Sequence, residues 1–155
     1  MANAAGLVHV FYATQTGNAE VVAEDAAEVL EKAGFEVRTA GLDEVTPAEL
    51  AVLERVAVVC SSTGTGDVPD DLEEFWVALL ADGAPRLDAV TYSLCALGDR
   101  GYQHFCGGGR KVDERFAELG ATRLLDRVDC DSNYEDAAAD WMERLAAALA
   151  DRDGS

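Results

Sequence analysis

Val56-Ala57-Val58-Val59-Cys60 is an unbroken apolar run. A strand reads this way when both of its faces are buried, and such strands belong to parallel sheets covered by helices on each side. Val90 to Leu97 has the same character, and Leu7-Val8-His9-Val10-Phe11-Tyr12 is a third β-branched and aromatic run. Phe35-Glu36-Val37-Arg38-Thr39 alternates apolar and polar residues, as a strand with one less buried face does. Ala121 to Val128 is expected to be the fifth strand. Parallel neighbours cannot be joined by tight hairpins, so a helix must cross over between them.

The intervening segments have helical spacing. From Ala19 to Ala33 the apolar stripe is Val22, Ala26, Val29, Leu30 and Ala33. Gly34 then stands where a positive φ ends a helix. Pro47 opens a short turn at Ala48-Glu49-Leu50. Leu72 to Ala81 places Leu72, Phe75, Trp76, Leu79 and Leu80 on one side. Gly98 to Gly109 is expected to be loop, and Arg110 to Leu119 a helix with Val112, Phe116 and Leu119 inward, stopped by Gly120. Tyr134 to Ala150 turns Ala137, Trp141, Leu145, Ala148 and Leu149 inward, and 151–155 is a polar tail. The whole predicts an α/β domain with helices on both faces of one sheet. Its 155 residues suit one domain spanning 1–155, with a core from about 7 to 149.

No window approaches the ~18 consecutive apolar residues of a membrane span. No basic residue precedes the first apolar run, so no secretory signal is expected. Cys60 and Cys95 lie in apolar runs as small buried hydrophobes, while Cys106 and Cys130 fall in expected loops. With no Cys-x-x-Cys spacing and no disulfide framework, a reducing, cytoplasmic setting is expected. His9 and His104 are too distant in sequence for a local metal clamp, and no metal site is expected. Neither a nucleophile constellation nor a Gly-x-Ser-x-Gly elbow is present, so no catalytic residue is assigned.

In open parallel sheets, ligands bind beyond the carboxyl ends of the strands. Three loops follow strands one, three and four. Thr14-Gln15-Thr16-Gly17-Asn18-Ala19 offers hydroxyls, amides and backbone N–H groups at a helix N-terminus, a set that can wrap a phosphate or simply cap the helix. It is neither a Walker loop nor Gly-x-Gly-x-x-Gly, and it holds no Lys or Arg. Ser61-Ser62-Thr63-Gly64-Thr65-Gly66-Asp67-Val68-Pro69-Asp70-Asp71 has two glycines that allow close backbone approach to a flat ligand, or is an ordinary polar loop with Asp70 or Asp71 capping the next helix. Leu97-Gly98-Asp99-Arg100-Gly101-Tyr102-Gln103-His104-Phe105-Cys106 carries Tyr102, an aromatic able to stack on a ring system or on the domain's own surface.

Together these loops resemble those of the flavodoxin-like FMN-binding proteins. The nearest likeness is to the flavodoxin-like domain of the sulfite reductase flavoprotein subunit and other diflavin reductases, and to MioC-type flavodoxins. Leu119-Gly120-Ala121 and Arg123-Leu124-Leu125-Asp126-Arg127-Val128-Asp129-Cys130-Asp131 share in it. The resemblance implies a three-layer sandwich with a five-stranded parallel sheet in the order 2-1-3-4-5, of the short-chain type. It implies FMN as cofactor. The phosphate would lie against Thr14, Gln15, Thr16, Gly17, Asn18 and Ala19. The ring system would lie between Ser61, Ser62, Thr63 and Gly64 on one side and Leu97, Gly98, Asp99, Tyr102, Phe105 and Cys106 on the other. Tyr102 matches the family's stacking tyrosine, and Gly64 the peptide that reorients toward flavin N5. Thr63 departs from the pattern, since many diflavin domains have an aromatic there.

The implied function is shuttling of single electrons between a reductase and an acceptor protein. With 30 acidic against 12 basic residues, the net charge is -18. Such a chain is not suited to nucleic acid or anionic membranes. It is suited to redox partners with basic docking surfaces, an NAD(P)H-dependent flavin reductase being the expected donor. A monomer is expected, with the reductase domains supplied by other proteins or lying outside this chain. Two alternatives are an FMN-dependent NAD(P)H reductase on the same fold and an FMN domain excised from a diflavin reductase. A response-regulator receiver fails, because strand one ends in Tyr12-Ala13-Thr14 with no acidic cluster.

Overall fold

The computed structural model describes residues 6–13, 17–61, 72–98, 107–131 and 133–154. Strands β1 (Leu7–Ala13), β2 (Glu36–Gly41), β3 (Arg55–Ser61) and β4 (Thr91–Leu97) pair in parallel in the order β2-β1-β3-β4. The short strands β5 (Thr122–Arg123) and β6 (Val128–Cys130) share the position beyond β4. Helices α1 (Asn18–Lys32), α2 (Pro47–Ala51), α3 (Glu73–Leu80), α4 (Gly107–Glu118) and α5 (Glu135–Gly154) complete the chain.

Each face of the sheet has its own core. Phe11, Val58, Cys60, Tyr92, Leu94 and Ala96 face Leu50 of α2, Phe75 and Leu79 of α3, and Val112 and Phe116 of α4. Val8, Val10, Ala57, Val59 and Cys95 face Val22, Ala26 and Leu30 of α1, and Trp141 and Leu145 of α5. Alternate residues of one apolar run thus enter different cores, which is why β3 and β4 carry no outward polar face. Ser93, the buried polar residue at the middle of β4, accepts a hydrogen bond of 2.8 Å from the Trp141 indole N–H. Gly34 and Gly120 end α1 and α4 with φ of 103° and 101°. In each case the next residue's N–H reaches back into the helix, Phe35 to the Leu30 carbonyl and Ala121 to that of Phe116.

Several expectations are corrected. The fifth strand is not continuous over 121–128. Arg123 stands opposite Tyr92 and Val128 opposite Cys95, so five steps along this strand match three along β4. Two extra residues bulge out within 124–127, a break that apolar Leu124 and Leu125 hide in the sequence. Cys130 closes β6 and is buried, not in a loop. Helix α4 begins at Gly107 and α5 runs to Gly154, so neither the glycine triplet nor 151–154 is loop or tail. Leu80 is 49% exposed, and Ala33 and Ala137 also face solvent, Ala138 taking the inward place. Trp76 does pack against the core, half-buried. His9 lies on Phe11, ring centroids 5.9 Å apart.

Tertiary packing requires a glycine at position 109 of α4. A Cβ at Gly109 would collide with the Ala96 Cβ and lie 3.2 Å from its Cα. Helix and strand therefore touch through backbone. Four residues farther along α4, the Asp113 carboxylate is buried against Tyr92, Arg123 and Arg127. Arg123 Nε donates at 3.0 Å and Arg127 Nη1 at 2.8 Å, while the Tyr92 hydroxyl donates to Oδ1. Arg127 comes from the bulge, so this one carboxylate ties the interrupted edge strand to α4 and β4.

Two predictions follow from these contacts. Gly109→Ala is expected to lower the urea midpoint, because overpacking costs ~1–3 kcal/mol and exceeds the ~1 kcal/mol gained in helix propensity. The loss should shrink in an Ala96→Gly background, and a rise in midpoint would show that helix and strand can part freely. Burial first, and the Asp113 hydrogen bond second, raise the Tyr92 pKa above its ordinary 10.0. A raised folded value means the folded state holds this proton longer. The contribution is full below pH 10 and is lost as pH rises toward the folded value. Alkaline denaturation should therefore be less steep in Tyr92→Phe than in the parent.

Candidate functional site

The parallel ladder brings the carboxyl ends of its strands to one edge. Ala13 stands opposite Cys60, Ser61 opposite Leu97, and Leu97 opposite Cys130. The ladder continues one step further, where the Gly98 N–H donates to the Cys130 carbonyl at 2.9 Å. Helix α1 starts at the same edge. Its N-cap is Gly17, with φ 96° and ψ -14°, a left-handed conformation that glycine adopts without strain. A glycine cap supplies no side-chain acceptor, so Asn18 and Ala19 open a helix whose end is suited to an outside anion.

Of the sixteen residues assigned to the site from sequence, six are described. Gly17, Asn18, Ala19, Ser61, Leu97 and Gly98 all lie at this edge. Ala19 and Leu97 are buried in the core beneath it, so they shape the floor. Asn18 is exposed. Thr14, Gln15, Thr16, Ser62, Thr63, Gly64, Asp99, Tyr102, Phe105 and Cys106 lie outside the described residues.

Sequence reasoning missed an acidic group beside this edge. Burial raises the Tyr12 hydroxyl pKa, and the Glu20, Glu44 and Asp43 carboxylates push it the same way. Glu20 lies in the first turn of α1, while Asp43 and Glu44 follow directly on β2. The signal was available, since an acidic pair just past a parallel strand must sit at its carboxyl end. Glu44 also accepts from the Gly41 N–H at 2.7 Å, which fixes it there. Among the described residues no group of three or more His, Cys, Asp or Glu could hold a metal ion. None of the described helices is long and apolar enough to cross a membrane.

A family model described as Flavodoxin matches residues 10–143. The chain belongs to the flavodoxin family. The flavodoxin from Streptococcus pneumoniae TIGR4 superposes with a TM-score of 0.83 at 26% identity, covering 95% of this chain and 99% of that one. A point mutant of the Pseudomonas aeruginosa flavodoxin gives 0.78 at 33% identity, covering 92% and 98%. Among curated relatives, the sulfite reductase [NADPH] flavoprotein alpha-component of Bacillus subtilis (strain 168) is 38% identical over 95% of this chain. The corresponding protein of Neisseria meningitidis serogroup A / serotype 4A (strain DSM 15465 / Z2491) is 41% identical over 92%. The chain spans 24% of the length of each of these two.

The donor chemistry at the edge fits a flavin mononucleotide. Gly17 itself brings no side-chain acceptor to the N-terminus of α1, and a helix N-terminus suits a phosphate. The apolar floor of Ala13 and Leu97 suits a flat ring system. Gly17→Ala tests the first feature. Nothing lies within 4 Å of the added Cβ, so the cost is backbone strain alone. A loss of ~1–2 kcal/mol in urea unfolding is expected, with Gly17→Asn losing less. Equal stability of Gly17→Ala and the parent would remove the left-handed turn from the argument.

Proposed function

We propose that this flavodoxin binds FMN and carries single electrons between a reductase and an acceptor protein. The observation that carries the reading is the span of the family match. Residues 10–143 take in all three loops, and the strands that feed those loops end at one edge. FMN supplies the one-electron chemistry when bound, and this chain holds and tunes it. Thr14, Gln15, Thr16, Gly17, Asn18 and Ala19 would hold the phosphate. Ser61, Ser62, Thr63 and Gly64 would flank one side of the ring, with Leu97, Gly98, Asp99, Tyr102, Phe105 and Cys106 on the other. Likeness to two sulfite reductase flavoproteins, of which the chain spans 24%, favours a second form of the reading. In that form the unit is the FMN domain of a diflavin system, handing electrons on from an FAD- and NADPH-binding partner.

The visible spectrum of the purified chain with added FMN tests the reading, and absence of bound flavin at micromolar FMN would overturn it. Rapid reduction of the bound flavin by NAD(P)H alone would favour a stand-alone reductase instead. Glu20, Asp43 and Glu44 beside the edge disfavour extra negative charge on a reduced ring. The second one-electron reduction is therefore expected at a potential below that of free FMN, as a redox titration would read. A potential at or above that of free FMN would cancel the electrostatic account.

The net charge of -18 supports basic redox partners and a monomeric carrier, and the free thiols of Cys60, Cys95 and Cys130 support a reducing, cytoplasmic setting. Rates of electron transfer to a basic partner should fall with rising salt, as stopped-flow mixing would show. Salt-independent rates would exclude charge steering.

A further inference from the structure

The chain leaves β4 through Leu97 and Gly98, and α4 begins at Gly107. Separate contacts hold these two ends at the carboxyl edge. The Gly98 N–H donates to the Cys130 carbonyl at 2.9 Å, so the place of Gly98 depends on β6. Helix α4 is held to β4 through backbone, Gly109 lying against Ala96.

Strand β6 is a slight support by itself. Its three residues stand opposite Cys95, Ala96 and Leu97, and they rejoin the ladder only after the bulge. So few contacts let an edge segment open locally at small cost. Arg127 supplies what the ladder lacks. Its Nη1 donates at 2.8 Å to Asp113 on α4, and its Nε at 2.7 Å to Asp129 in the middle of β6. A planar guanidinium makes both bonds in one fixed geometry, so it sets α4 and β6 relative to each other. Asp113 lies one helical turn beyond Gly109, on the face of α4 that meets the sheet.

We propose that Asp113 and Arg127 are positioning residues for the ring side of the flavin site, acting through β6 and the Cys130 carbonyl on Gly98. The proposal rests on the FMN reading, under which Leu97 and Gly98 flank the ring. Arg123 provides the contrast. It donates to the same Asp113 carboxylate at 3.0 Å, but it stands before the bulge, opposite Tyr92. Arg123 therefore ties α4 to the amino-terminal half of β4 and has no bond to β6. Arg127 ties α4 to the strand that carries Cys130.

Arg123→Gln and Arg127→Gln remove the same charge from the same carboxylate, and both should lower the urea midpoint. Amide hydrogen exchange on the flavin-free chain separates them. Relative to amides at the centre of β3, exchange at Gly98 should quicken about tenfold in Arg127→Gln, the scale of one hydrogen bond. It should be unchanged in Arg123→Gln. With FMN added, Arg127→Gln should bind about tenfold more weakly, again the scale of one hydrogen bond, and alter the visible circular dichroism of the bound flavin. Arg123→Gln should match the parent in both. Arg127→Lys keeps the charge but not the two-carboxylate grip, so it should behave as Arg127→Gln. Asp113→Asn should do the same, and Arg127→Gln decides if that variant does not fold. Equal Gly98 exchange in Arg123→Gln and Arg127→Gln would overturn the proposal, as would parent-like flavin binding in Arg127→Lys. A parent chain that binds no FMN would overturn the FMN reading instead, and the exchange comparison would still decide whether Arg127 anchors Gly98.

Discussion

Burial of β3 and β4 on both faces is the constraint on which everything else in this chain depends. All seven residues of β4 are buried, Thr91 and Ser93 included. Backbone groups so far from water must pair within the sheet, so neither strand can lie at an edge. Both faces need cover, and parallel pairing needs long crossovers, and helices meet the two requirements at once. All the crossovers then run the same way. Every loop that follows a strand emerges at the carboxyl edge, and every crossover helix begins there. The gathering of Gly17, Ser61, Leu97 and Gly98 at one edge is a consequence of burial before it is an adaptation to a ligand.

The outer strand position shows what happens where that constraint weakens. Strands β5 and β6 contribute five residues between them, and β5 is exposed. Hydrophobic burial alone gives little there. The Asp113 carboxylate takes over, with Tyr92 and two arginines around it. A buried ion pair of this kind adds little against an apolar substitute, but losing one partner leaves a charge stranded. Its contribution is therefore to register: it sets where the bulge falls and where Val128 rejoins the ladder. Arg115 makes a smaller tie of the same sort, donating to the Leu79 carbonyl at the end of α3 at 2.9 Å.

The central strands, the crossover helices and their glycine stops were legible because each follows from a local rule: unbroken apolar runs, helical spacing, or a positive φ after the last turn. What escaped was set at a distance. The triplet Gly107-Gly108-Gly109 has the composition of a loop, yet it is helical, and Gly109 is glycine there because Ala96 leaves no room for a Cβ. Leu124 and Leu125 suggest a continuous strand, yet the two extra residues fall within 124–127, where Arg127 reaches Asp113 on another element. Cys130 looked like loop because three residues of β6 are too few to display a period of two. At the site, the strand ends and Gly17 were readable from turn chemistry. The acidic group around Tyr12 was legible only in part: Asp43 and Glu44 follow a parallel strand and so lie at its carboxyl end, but their convergence with Glu20 on Tyr12 depends on β2 and β1 being neighbours.

An edge surrounded by carboxylates would be a poor place for an anionic ligand if all electrostatic effects had the same reach. They do not. The field of a helix N-terminus acts within its first turn, through N–H groups that touch their ligand. Carboxylates act over the screening length, ~8–10 Å at ordinary ionic strength. Glu20 begins α1, Glu73 and Glu74 begin α3, and Glu135 and Asp136 begin α5, so acidic side chains attend three of the helix ends at this edge. A phosphate held at the start of α1 would be governed by its contacts, and a ring held beyond the first turn would meet no N–H group of the helix and would be governed by the carboxylates. On the FMN reading proposed above, such an edge would hold a phosphate by contact while its carboxylates resist further negative charge on the ring.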